Sequence, residues 1–110
     1  MKVFLQRMNQ VVDHLEEESK KLMKWNGQEV YLGMEETVSD ITEIVTVMFE
    51  NEEVLNSCGV VIHKEMIMTS LNHMMEAMEK KDDVMLHDAL YYEILSQFKG
   101  YKYMLEQITG

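Results

Sequence analysis

Apolar residues recur along this chain at spacings of three and four. Between Lys2 and Lys24 the recurring positions are Leu5, Met8, Val12, Leu15 and Leu22, with Ser19 in phase. That is the period of an amphipathic helix, and Arg7, Asp13, Glu17, Lys20 and Lys24 fall on its other face. Trp25-Asn26-Gly27-Gln28 then interrupts the pattern. Asn-Gly is a hairpin signal, but the flanks do not alternate as strands would, so the pattern predicts a turn between helices with Gly27 at the stop. A second stripe runs from Gln28 to Glu50 through Val30, Met34, Val38, Ile41, Val45 and Met48, widened by Ile44, Val47 and Phe49. Gly33 weakens its first turns, so the start can fall as late as Met34.

Residues 51–59 are harder to read. Asn51 before Glu52 and Glu53 looks like an N-cap with acids in a first helical turn, and Gly59 is placed to end it. A third stripe, from Val60 to Lys80, includes His63, Ile67, Leu71, Met74 and Met78, with Ile62, Met66 and Met75 beside it. A fourth, from Asp82 to Gln107, carries Leu86, Leu90, Ile94, Tyr101 and Leu105, flanked by Ala89, Phe98 and Met104. Gly100 within it signals a bend or a close helix contact. The pattern predicts a single all-α domain over residues 1–110, an antiparallel up-down four-helix bundle. A three-helix bundle, with the second segment broken differently, is the alternative.

Composition sharpens this picture. There is no proline, and only five glycines, so the turn chemistry of an all-β domain is missing. The formal net charge of −10 opposes nucleic acid and the anionic inner face of a membrane. It suits a basic protein partner, and it also serves solubility. Residues 34–58 hold seven acids and no basic residue. Cys58 is the single cysteine, so no internal disulfide forms. "MKVFLQRMNQVV" lacks the long apolar run of a signal peptide, and no window is long enough for a membrane span. A soluble cytoplasmic protein is expected.

The densest chemistry lies in "KKDDVMLHDALYYEIL", residues 80–95. Asp82 is placed as an N-cap, Asp83 stands in the first turn, and Lys80 and Lys81 close the preceding helix, so "EKKDD" reads as a tight corner. Glu93 falls seven residues after Leu86, close to the apolar stripe, and therefore needs a partner; Tyr91, Tyr101 or Tyr103 could supply a hydroxyl. A ferritin-like metal site requires Glu-x-x-His, and the residues three before His14, His63, His73 and His87 are Val11, Val60, Ser70 and Val84. No zinc motif or phosphate-binding glycine loop is present. No cofactor and no metal are expected.

Methionine is the compositional anomaly, at twelve residues. Five lie between Met66 and Met78. Thioether side chains either fill the core in place of leucine or present an adaptable binding surface. A copper(I) site on His73, Met74 and Met78 is a third, minor possibility.

Ala77, Lys81, Asp82, Leu86, Asp88, Leu90, Tyr92 and Glu93 together resemble the C-terminal part of a family of small, acidic, helical bacterial proteins of unknown function. More distantly, size and helix layout are similar to flagellar export chaperones, which implies a bundle that holds another protein. The N-terminal tyrosine-containing segment of those chaperones has no counterpart in "MKVFLQRMNQ".

These readings converge on a non-enzymatic module that binds another protein or itself, as an adaptor or chaperone would. The candidate contact residues are Met66, Met74, Met75 and Met78, with Tyr92 and Glu93 as a second group. A small helical enzyme or ligand-binding domain using Asp88, Glu93 and His87 is one alternative. A structural homodimer is the other.

Overall fold

The computed structural model describes residues 2–23 and 27–109. Among the described residues there are helices and short connections, and no strand. Helix α1 spans Lys2–Met23, α2 Gly27–Glu50, α3 Glu52–Ser57 and α4 Lys64–Lys80. The last run comprises α5 (Asp83–His87), a π-helical stretch (Asp88–Leu95) and α6 (Ser96–Thr109). Asp88 and Ser96, at the two joins, both have helical backbone angles, so these pieces form one rod.

Helix α1 is the shared wall of the core. It packs against α2 on one side and against the rod on the other, while α4 covers the rod from outside. Met8, Val11, Val12 and Leu15 from α1 meet Ile41, Ile44, Val45 and Met48 from α2, with Leu86, Leu90, Ile94, Phe98 and Leu105 from the rod. At about 1.5 Å per residue, the 22 residues of α1 reach roughly 33 Å along a molecule 41 Å long. The rod is therefore bound along most of its length by one helix.

Polar pairs fix how the helices slide against one another. Arg7 bonds both Asp40 and Glu43 at 2.7 Å, and His14 Nε2 lies 3.0 Å from Thr37 Oγ1. Lys99 Nζ reaches Glu16 at 2.6 Å. The Tyr101 hydroxyl accepts from the backbone N–H of His63 at 3.1 Å, and Gln97 Nε2 donates to Ser70 Oγ at 2.7 Å. At the start of α2, burial pushes the Tyr31 hydroxyl up to about 12, with the Asp83 carboxylate adding to the shift. No hydrogen bond of good geometry joins the two among the described residues.

Two helix ends share one stop. After α3, Val60 N–H bonds Leu55 O and Gly59 N–H bonds Asn56 O, with Gly59 at φ 96°. Leu55 and Val60 are both buried, which completes a Schellman cap with its apolar contact. After α4, Asp82 N–H bonds Ala77 O, Lys81 N–H bonds Met78 O, and Lys81 takes the left-handed position at φ 52°. Asp82 then caps α5 by accepting from Met85 N–H, as the "EKKDD" corner implied.

Several expectations need correction. Gly27 opens α2 rather than stopping α1. Trp25 and Asn26 of the expected turn, and Lys24 at the end of the first stripe, lie outside the described residues. Asn51 precedes α3, but its side chain does not cap it; Asn51 Nδ2 instead donates back to Val47 O at 2.8 Å. Helix α4 starts at Lys64, and Val60 to His63 is an irregular connection after the α3 stop, with Val60 and Ile62 buried. His63 is exposed rather than part of the apolar face. Gly100 is an exposed helical position, and a Cβ there would meet nothing within 4 Å, so it marks no close contact.

Gly100→Ala is therefore expected to stabilise the protein by about 0.5–1 kcal/mol in urea unfolding, through the lower entropy of the unfolded chain. The Glu16–Lys99 pair gives a pH-dependent test. The Lys99 ammonium lowers the Glu16 carboxyl, and the carboxylate raises Lys99. A lowered acid contributes stability above its ordinary range and loses it as the pH falls through the lowered value; a raised base loses its share at high pH. Glu16→Gln should cost about 0.5 kcal/mol near neutrality, a figure held down by the pair's solvent exposure. The gap from wild type should close below about pH 4 and again above about pH 11.

Candidate functional site

The rod's apolar positions do not keep one phase. Starting at Leu86, an unbroken α-helix would return to the core near Leu90, Glu93, Gln97, Gly100 and Met104. The buried residues are Leu90, Ile94, Phe98, Tyr101 and Leu105, each after the first falling one residue late. In continuous α geometry Leu95 would sit about 180° round the axis from Leu86, yet both are buried. The π-helical stretch resolves the mismatch. Its wider turns absorb one extra residue, so both halves of the rod face α1.

That widening turns Glu93 and Gln97 out of the core and toward α4. Glu93 receives His73 Nδ1 at 2.8 and 3.0 Å from its two oxygens. Glu93 is therefore satisfied by a histidine on α4 rather than by a tyrosine hydroxyl. Gln97 donates to Ser70, whose hydroxyl donates in turn to Met66 O at 3.0 Å. Gln97 Oε1 is buried and has no partner.

Between α4 and the rod these residues floor an open groove of about 460 Å³. Its rim carries Glu65, Met66 and Thr69 from α4 and Tyr92, Glu93 and Ser96 from the rod. Tyr92 is 66% exposed and Met66 55%. Beyond Glu93 a second depression is lined by His73, Asp82, Val84, Met85, Asp88 and Glu93. His87 does not belong to it. Its ring stacks on Tyr91 at 5.4 Å and meets Tyr92 edge-on, and its Nε2 is buried without a partner. So Asp88 and Glu93 do share a site, but the histidine between the helices is His73.

The methionine group divides. Met74 is 2% exposed and belongs to the core, and Met78 packs against that core. Met74 gives way as a surface contact because it lies in the core, while Met78 keeps part of its surface. Met75 is 51% exposed but stands on the opposite flank of α4 from Met66, together with Met68, a position the sequence reading did not single out. Met66, Tyr92 and Glu93 are the proposed contact residues that the structure brings together.

The His73–Glu93 pair fixes the imidazole, but among the described residues no hydroxyl is hydrogen-bonded to it. No group of three His, Cys, Asp or Glu side chains converges as a metal site among the described residues. Cys58 is exposed at the end of α3, far along the chain from these groups.

Comparison with known families places the chain. A family described as a domain of unknown function, DUF8042, matches residues 1–103. The chain belongs to this family. The matched stretch takes in α1 through most of α6, so the groove and the π-helical stretch both lie inside the DUF8042 region. No curated protein and no solved structure matches the chain. A family without an assigned function agrees with the coarse resemblance noted from residues 77–93.

Deletion of Tyr91 should return the rod to one phase as a continuous α-helix. Such a variant is expected to unfold in urea within about 1 kcal/mol of wild type, and to lose the His73–Glu93 contact in its NMR spectrum. A loss of several kcal/mol would show that the π-helical stretch is not an inserted residue.

Proposed function

We propose that this DUF8042 protein is a non-enzymatic binding module, and that the groove between α4 and the π-helical stretch is where it meets another protein. The observation that carries this reading is the pairing of two large, exposed side chains, Tyr92 and Met66, on opposite walls of one groove. Aromatic residues and methionine are enriched at protein contacts, and π-helical turns recur at functional sites. The scaffold fits the reading. Partners on facing helices run in opposite order, as in Arg7–Asp40 with His14–Thr37, and His63–Tyr101 with His73–Glu93. This supports antiparallel packing within both pairs, as an up-down four-helix arrangement requires. A cytoplasmic setting suits a chain in which no described helix is long and apolar enough to cross a membrane.

The depression holding His73, Glu93 and Asp88 favours a second reading, a small-ligand domain. It is open to solvent and carries no placed nucleophile, which leaves it behind. A structural homodimer would use the same walls, and the likeness to flagellar export chaperones adds only an analogy of scaffold.

Photocrosslinking in cells tests the reading. With p-benzoylphenylalanine in place of Tyr92, irradiation is expected to give a discrete adduct, at twice the chain mass if the partner is a second copy. The same substitution at Glu36, exposed on α2, is expected to give none. Equal labelling at both positions, or none at Tyr92, overturns the proposal.

A further inference from the structure

The charged and carbonyl groups that face the α4–rod groove are all acceptors. Glu65 forms no ion pair among the described residues. Gln97 Oε1 is buried and unpaired, and each Glu93 oxygen keeps acceptor capacity beyond its bond from His73. Thr69 and Ser96 add hydroxyls that can serve either way, and among the described residues no lysine or arginine lines the groove. Two carboxylates on one groove call for a cationic donor. The walls set a second requirement. Tyr92 offers an aromatic face and Met66 an apolar edge, so the donor should carry an apolar stem.

We propose that the groove takes a cationic side chain, arginine or lysine, from a basic segment of a partner protein. The stem lies against Met66 and Tyr92, and the charged head reaches Glu65 and Glu93. This rests on the protein-binding reading and names the chemistry of the partner. The net charge of −10 works in the same direction, because it draws basic chains to the surface and speeds their encounter. On α2 and α3, Asp40 and Glu43 are held by Arg7 and Glu52 by Lys64, whereas in the groove Glu93 meets only the imidazole of His73 and Glu65 forms no ion pair among the described residues.

The test must separate a site from general attraction. The probe is a short acetylated peptide alternating arginine with leucine, and its control has glutamine in place of every arginine. Binding is followed by amide chemical shifts at fixed ionic strength. The arginine peptide is expected to move the signals of Glu65, Thr69, Tyr92 and Gln97. Glu65→Gln with Glu93→Gln should weaken it about tenfold, while Glu50→Gln with Glu53→Gln, which do not line the groove, should change it less than about twofold. Both pairs remove the same charge, and the glutamines keep shape, so folding is preserved.

Equal weakening by the two pairs would show net attraction only and would overturn the proposal. Equal binding of the glutamine peptide, or shifts absent from the groove, would also overturn it. None of these outcomes bears on an adduct at Tyr92, so a failed cationic occupant and a failed binding function remain distinguishable.

Discussion

The last helical rod must bury two apolar stripes that are out of phase by one residue, and the arrangement around it follows from that constraint. Leu86 and Leu90 set one phase, while Ile94, Phe98, Tyr101 and Leu105 set the other. Each fully buried side chain of this size contributes about 1.5–3 kcal/mol, so neither half can be surrendered to solvent. The backbone yields instead, over Asp88–Leu95. With both halves on α1, the polar residues that an α-helix would have buried are rotated to the α4 side. The Glu93–His73 and Gln97–Ser70 bonds are the local settlement of that rotation.

The rest of the molecule is organised to make the rod's position unambiguous. Helix α1 supplies one wall for both α2 and the rod, and its polar edge carries the Arg7 and Glu16 contacts to either side. Two Schellman stops flank α4, one before it at Gly59 and one at its end through Lys81. The His63–Tyr101 bond then ties the beginning of α4 to the far half of the rod, beyond the wide turns. The α4–rod contact is thus fixed at points on both sides of the π-helical stretch.

Much of the fold was legible in the periodicity. The stripes in α1, α2 and α4 named most of the core, including Met8, Met34, Ile41 and Met74, because burial and helical period are one signal there. The corner at Lys81 and Asp82 was legible because capping chemistry is local. What escaped was non-local or depended on geometry finer than a stripe. Asn51 has a capping side chain, but its amide found a carbonyl behind it. The partner of Glu93 lies twenty residues away on another helix, and no spacing rule links the two. One signal was available: a carboxylate seven residues after a buried leucine, followed by Gln97 and Gly100 in the same phase, marks a stripe that has slipped by one. Met74 and Met75 show the limit of composition, since neighbouring identical residues take opposite fates on α4.

The π-helical stretch is a matter of chain length, not of residue identity. Substitution within it can change what the groove prefers, but only loss or gain of a residue between Leu86 and Ile94 can remove or restore the widened turn. A DUF8042 relative aligned with a single-residue gap there would have a straight rod and a filled seam against α4. Gap placement in that short window, rather than similarity of the surrounding residues, would then sort the family into members that carry the groove and members that do not.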